Sequence, residues 1–430
     1  MLDIKFIRAN PEIVKTTVQN KNGKLNVDEL LEVDAKRTEL IQQTDELRTK
    51  RNQIADKLKD NSQRTPELIE EGKKIKAELQ KLEVEQREVE TKYTELMYIT
   101  PQIPSNDTPV GKTEADNVEI KKWGEVPQFD FEIKDHIQLG KDLDLLDIER
   151  GVRTSGYRGY YLKNEAVLLH MGLMMYGLQK MVAKGYTPFV PPTLVRDFAL
   201  FGSGHFPMDK GTEIFEINNP DKAEDNSAAD LYLAGTSEPS MLAYHTNETF
   251  KLDDLPKKYC GFSQCYRSEI GSYGKDTRGI YRLHEFMKIE QIIICEADYD
   301  ISTKYQEEML AISEEIMQEL ELPYRIIQLC TGDMGIGKYR MFDIETWMPS
   351  RDSYGETHSA SNLGDWQARR LNTKYIDKDG KKQFVHMLNN TAVASPRILI
   401  AILELNQQKD GSIKVPKVLQ GYVGKDLIGR

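Results

Sequence analysis

Arg267 and Glu269 stand two residues apart in the run Cys265-Tyr266-Arg267-Ser268-Glu269; a glycine-rich, charged loop then reaches Gly279, and the chain returns through Arg282-Leu283-His284-Glu285-Phe286. An arginine and a glutamate at that spacing on one strand point to the same face. There the cation neutralises a phosphate and the carboxylate accepts hydrogen bonds from an amine. The returning strand adds a second cation, Arg282, and in Phe286 a flat apolar surface suited to a purine ring. Residue by residue, an exposed hairpin of alternating charges reads the same way, so the constellation rather than any one member points to a nucleotide. Neither GxGxxG nor GxxxxGK[ST] occurs, so the two commonest phosphate-cradling loops are absent.

The elements that must position these residues read as mixed α and β. Lys258 to Arg267, Phe286 to Cys295 and Tyr324 to Cys330 look like strands, with a strand entry at Phe189-Val190-Pro191-Pro192. Glu165 to Lys184, Ser302 to Leu320 and Pro396 to Leu405 look like helices. Strands with irregularly interspersed helices predict an α+β domain on an antiparallel sheet flanked by helices. The N-terminal region is different. Val33, Leu40, Leu47 and Ile54 recur every seven residues beside Leu30, Arg37, Thr44, Arg51 and Leu58, and a second run repeats the device through Leu68, Ile75, Leu82, Val89 and Leu96. Such spacing keeps one stripe against a partner helix. Turn residues from Asp60 to Pro66 separate the runs, which predicts an antiparallel hairpin of two helices, each roughly 45 Å long at 1.5 Å per residue. A dimerising coiled coil is the plainer alternative. From Arg48 to Lys76 the hairpin carries nine basic and five acidic residues, a local +4 in a chain of net charge −11. A positive tip on an acidic protein suits a phosphate backbone. The expected boundaries are an N-terminal domain over 1–103 with the arm at about 27–97, a proline-rich linker over 104–117, and a second domain over 118–430.

The chain has 430 residues, 39% hydrophobic and 30% charged, which excludes a disordered or disulfide-stapled protein. With 58 Lys+Arg against 69 Asp+Glu it is not a basic nucleic-acid coat, so any such contact is local. Cys260, Cys265, Cys295 and Cys330 form no CxxC pair and read as reduced thiols rather than a zinc site. The charged Met-Leu-Asp-Ile-Lys start does not read as a secretory signal, and the apolar run Ala166 to Leu178 falls short of the roughly 18 to 20 residues a membrane span needs. A cytosolic protein without a membrane partner is expected.

Three stretches resemble the class II aminoacyl-tRNA synthetases. Tyr266-Arg267-Ser268-Glu269 with Arg282 and Phe286 is similar to their motif 2, Asn389 to Ile400 with Arg397 to motif 3, and Lys184 to Pro192 to the dimer-building motif 1. Further stretches resemble the seryl-tRNA synthetases of the common bacterial and eukaryotic type: Gly235-Thr236-Ser237-Glu238, Asp107 to Lys112 with Asp116 to Glu119, Phe131 to His136 with Leu145-Leu146-Asp147, and the hairpin itself. The likeness runs over essentially the whole chain, in order.

The resemblance implies a ligase that activates L-serine with ATP to seryl-adenylate and transfers it to tRNA(Ser), and to tRNA(Sec) as well. It implies Arg267, Glu356 and Arg397 as catalytic, with Arg267 holding the α-phosphate and the serine carboxylate together. Glu269 and the backbone at Leu283 would read adenine between Phe286 and Arg397, with Ser268, Thr357 and His358 completing the ATP site. Glu356 and Ser359 would hold Mg²⁺; His358 joins the metal or supports it by hydrogen bonding. Thr236, Ser237, Glu238, Glu290 and Thr391 would receive serine, whose single hydroxyl a small hydrogen-bonding pocket can distinguish. Arg48, Arg51, Lys57 and Lys59 would carry the tRNA contact, in a cytoplasmic homodimer. Two other readings stand beside this one: a ligase that loads an amino acid onto a carrier protein, and a non-catalytic RNA-binding relative.

Overall fold

The computed structural model describes residues 1–60, 64–205, 214–218, 220, 230–269 and 278–429. Most of the expected turn at 61–63 and of the loop at 270–277 lies outside the described residues. The chain divides into two compact units, Met1–Pro101 and Gln102–Arg430.

In the first unit the two heptad runs are helices α1 (Val27–Lys59) and α2 (Pro66–Tyr98). Asn26 caps α1 by accepting from the Asp28 and Glu29 amides, and Thr65 caps α2 through Leu68 with Pro66 in the first turn. Arg37 meets Glu90, Thr44 meets Gln86 and Arg48 meets Glu83. Partner numbers fall on one helix as they rise on the other, so the hairpin is antiparallel. Leu30, Leu40, Thr44 and Ile54 are buried against Ile75, Leu79 and Leu96. The expected seam is therefore present, with Val33, Leu47 and Leu82 half-buried along it.

The second unit is built on an eight-stranded sheet. Its strands are β1 (Val118–Trp123), β2 (Thr187–Phe189), β3 (Lys257–Tyr266), β4 (Glu285–Cys295), β5 (Tyr324–Gln328), β6 (Arg340–Met348), β7 (Ser353–Asn362) and β8 (His386–Ala394). They lie in the order β1-β5-β6-β7-β8-β4-β3-β2. Every pairing is antiparallel except β2 with β3 at one edge. Helices α3 (Glu165–Ala183), α4 (Tyr299–Glu319) and α5 (Arg397–Leu405) share the main apolar core with the sheet: Leu173 and Met174, Met309 and Ile316, and Leu399 pack with Ile289, Ile293 and Ile344. Gln291 and Asn390 turn towards α4 and both donate to the Met309 carbonyl and the Ser313 hydroxyl. The opposite face of the same strands is left for the site.

Two sequence readings change. By length and composition α3 is apolar enough to cross a membrane, longer than the apolar run suggested, but half of it is buried inside the protein. The stretch expected as a linker is hydrogen-bonded into the second unit: the Ser105 amide donates to the Tyr339 carbonyl, the Thr331 amide to the Pro109 carbonyl, and Arg340 pairs with Asp107. All four cysteines are buried free thiols.

Candidate active site

Strand periodicity sets the floor of the site. On β4, Phe286, Lys288 and Glu290 alternate onto one face, and in the sheet Glu290 lies opposite Thr391 of β8 and Gly261 of β3. Phe286, Lys288, Glu290 and Thr391 line a cavity of about 870 Å³, its open mouth included.

Two irregularities complete the floor. Glu356 and Ser359 are three apart, and strict alternation would send them to opposite faces. A bulge in β7 opposite Ile344 and Glu345 resets the alternation, and both reach the cavity. On β8 a second bulge follows Thr391, so Asn389, Thr391 and Ala394 all line it. Arg267 and Glu269 also line the cavity, though not by strand alternation as the sequence suggested. β3 ends at Tyr266, and Glu269 takes a left-handed φ of 51°.

The walls carry charge at close quarters. The Arg267 Nε donates to the Gly235 carbonyl at 3.2 Å, and its guanidinium lies 5.3 Å from the Phe286 ring centre. Arg282 donates to Glu269 at 3.3 Å. Arg397 donates to the Glu356 carbonyl at 2.8 Å and its carboxylate at 3.2 Å, and stacks over the Tyr281 ring. Burial works against the Arg397 charge, but Glu356 and Tyr281 outweigh it and its pKa is raised. In this arrangement Phe286 faces Arg267, and Arg397 faces Tyr281 rather than Phe286.

At the other end Thr236, Glu238, Glu290 and Thr391 converge. Burial pushes the Glu290 carboxyl above its ordinary range, against the pull of the Lys288 ammonium that contacts it. Across the strand pair from Ser359 lies Asp343, whose carboxyl is held well above its usual range by burial and by Glu356; its Oδ1 has no hydrogen-bond partner among the described residues.

The cavity thus gathers Arg267, Glu269, Leu283, Phe286, Glu356, Thr357, Ser359 and Arg397 with Thr236, Glu238, Glu290 and Thr391. Ser237, Ser268 and His358 are not in its lining. Ser237 donates to the Gly261 carbonyl, and the buried His358 ring pairs with the Thr357 hydroxyl and the Ala392 carbonyl, its pKa pushed down by burial to about 4. Arg48, Arg51, Lys57 and Lys59 lie exposed on α1 in the first unit. Sequence reasoning missed Lys288 and gave Asn389 no role in the site, although strand period two signals both beside Glu290 and Thr391. It also missed His205 and Lys338, for which no local pattern exists.

Comparisons with known proteins cover the same ground. The "Seryl-tRNA synthetase N-terminal domain" family matches residues 1–104, and the "tRNA synthetase class II core domain (G, H, P, S and T)" family matches 221–406. The serine–tRNA ligase of Deinococcus radiodurans is 43% identical, over 100% of this chain and 99% of its own; that of Dictyoglomus turgidum is 42% identical over 99% and 98%. Among solved structures, the seryl-tRNA synthetase of Pyrococcus horikoshii, complexed with ATP, aligns with a TM-score of 0.87 at 36% identity over 100% of this chain and 99% of that one. The cytoplasmic serine–tRNA ligase of Naegleria fowleri, in complex with AMP, gives 0.83 at 29% identity over 97% and 95%.

Proposed function

The chain belongs to the seryl-tRNA synthetases, the serine–tRNA ligases, and on that premise we propose that this cavity joins ATP and L-serine as seryl-adenylate and passes the seryl group to tRNA(Ser). One observation carries the reading: a single cavity brings two guanidinium groups, Arg267 and Arg397, beside a small polar end made by Thr236, Glu238, Glu290 and Thr391. The ATP and AMP bound by the two solved relatives support the nucleotide half.

The serine carboxylate attacks the α-phosphate in line and pyrophosphate leaves; the terminal ribose hydroxyl of the tRNA then attacks the acyl carbon and AMP leaves. No covalent enzyme intermediate is needed, so the residues act by positioning and charge neutralisation. Arg267 holds the two anionic partners together. Glu269 and the Leu283 backbone receive the adenine amine, with Phe286 beside the ring. Thr236, Glu238, Glu290 and Thr391 leave room for a hydroxymethyl side chain and supply its hydrogen bonds, which disfavours alanine.

The donors present fit a divalent cation. Glu356 and Ser359 offer hard oxygens, and the Asp343 oxygen across the strand pair, unpartnered among the described residues, marks a place where positive charge is short. Glu356 and Ser359 would hold Mg²⁺, which when bound neutralises charge on the ATP phosphates.

Residues 1–103 serve as the tRNA-binding domain and 118–430 as the catalytic domain. The positive stretch of the hairpin, with Arg48, Arg51, Lys57 and Lys59, meets the tRNA backbone; tRNA(Sec) is a second substrate. The exposed apolar side of α3, with Val167, Leu168, Met171 and Met175, is the surface a homodimer would bury. The site of action is the cytoplasm. Serine-dependent ATP–pyrophosphate exchange with Mg²⁺ tests the activation step, and charging of tRNA(Ser) and tRNA(Sec) transcripts tests the transfer. No exchange at saturating serine refutes the reading.

A further inference from the structure

Two carboxylates reach the small polar end of the cavity, and their surroundings differ. Glu290 contacts the buried Lys288 ammonium, a counter-charge supplied within the protein. Among the described residues Glu238 has uncharged partners. Its Oε1 accepts from the Gln367 amide at 2.6 Å and the Asn389 amide at 2.8 Å. Its Oε2 lies 3.4 Å from the Nε2 of His205, whose pKa is pulled down to about 4, chiefly by burial, so the ring is neutral at pH 7. Gln367 is itself fixed: the same amide nitrogen donates to the Ser203 carbonyl at 2.8 Å, and the side chain is buried in the short helix Trp366–Leu371. Two acceptors on one nitrogen settle which way that amide points.

We propose that Gln367 and Asn389 are positioning residues for serine recognition: they tie one Glu238 oxygen from behind and leave the other, which no cation among the described residues pairs, to receive the serine ammonium, while Glu290, already paired with Lys288, is left to the hydroxyl. A buried carboxylate held by neutral donors keeps its net charge, and a ligand cation is the remaining way to compensate it. Gln367 does not line the cavity and acts only through Glu238. The inference rests on the cavity being the serine site.

The test is ATP–pyrophosphate exchange on the full chain, with serine and ATP varied separately, for the parent, Glu238→Gln, Gln367→Met and Asn389→Ser. The expected result is a serine KM raised by about 10-fold or more in each variant, the loss of a charge-assisted contact or of its alignment, with the ATP KM within about 2-fold of the parent. Gln367→Glu gives an independent arm. A carboxylate facing Glu238 should weaken serine binding at pH 8 and recover as falling pH protonates the introduced group, with Glu290, Lys288 and His205 as the other titratable neighbours. A merely structural role would not produce that recovery. If Glu238→Gln raises the serine KM and neither Gln367→Met nor Asn389→Ser does, the clamp is wrong and the serine site stands. Equal loss of ATP and serine binding in both clamp variants also overturns it. If the parent shows no serine-dependent exchange, site and clamp fall together.

Discussion

Ion pairs and buried leucines join α1 to α2, and ion pairs also line the cavity on the sheet face opposite the isoleucine-rich core, yet the same chemistry has different consequences in the two units. Along the hairpin the pairs are exposed: Arg48 and Glu83 keep 45% and 36% of their side-chain surface. Water already satisfies such charges, so each contact adds little, and stability comes from the repeating apolar seam. In the cavity Lys288 and Glu290 keep 7% and 3%. There a lost partner leaves a charge in a medium that cannot solvate it. Substitution should therefore be tolerated at an exposed hairpin pair such as Arg48–Glu83 and hardly at all at the buried pair Lys288–Glu290.

The sharpest way to break that contrast is Arg267→Ala. Loss of preorganised charge should lower kcat/KM for ATP–pyrophosphate exchange by about 10³-fold, with the melting of the first unit unchanged. A fall of less than tenfold would mean Arg267 is no more critical than an arm cation.

Acid should also separate the units. His358 and His386 are buried, and burial lowers both to about 4, against an ordinary value of 6.5. At pH 7 both are neutral in the folded chain and mostly neutral in the unfolded one. As the pH falls through 6.5 the unfolded chain takes up protons that the folded chain refuses until about 4, so each group contributes a loss of stability on the order of 3 kcal/mol across that window, while the raised Glu290 and Asp343 carboxyls act in the opposite sense. Residues 1–101 contain no histidine. Circular dichroism from pH 7 to 4.5 should show the second unit unfolding at lower temperature while the hairpin melt moves less; equal shifts would contradict this.

Replacing Arg48, Arg51, Lys57 and Lys59 together by Ala should cut tRNA(Ser) aminoacylation by about tenfold at moderate salt and flatten its salt dependence, while exchange stays within twofold. Equal loss in both reactions would refute separate roles for the two units. The smallest effect is expected from Glu83→Ala, below about 1 kcal/mol in hairpin stability by denaturant melting.

The hairpin was legible because its information is local: a seven-residue repeat and turn residues appear in any window long enough to hold them. β3, β4, β5 and α3 to α5 were also close to their expected ends, since each carries its apolar pattern within one local window. β6 and β7 were not anticipated. β7 carries the polar cavity residues Glu356, Thr357, Ser359 and Ser361, and its bulge opposite Ile344 breaks the alternation that would have marked a strand. Most proposed site residues do meet in one cavity, and Ser237, Ser268 and His358 stand outside its lining.

What the amino-acid order determined by itself is the inventory: an acidic chain with one positive helical stretch, a strand pair bearing Arg267, Glu269 and Phe286, and the carboxylates and hydroxyls at Glu238, Glu290, Glu356 and Thr391. Only the tertiary structure decided which oxygens remain available. Whether Glu238 meets Gln367, or Glu290 meets Lys288, depends on the register of strands and on where a helix distant in sequence packs. Hydrogen bonds and buried charges act over a few ångströms in space whatever the separation along the chain, and local periodicity carries no record of that.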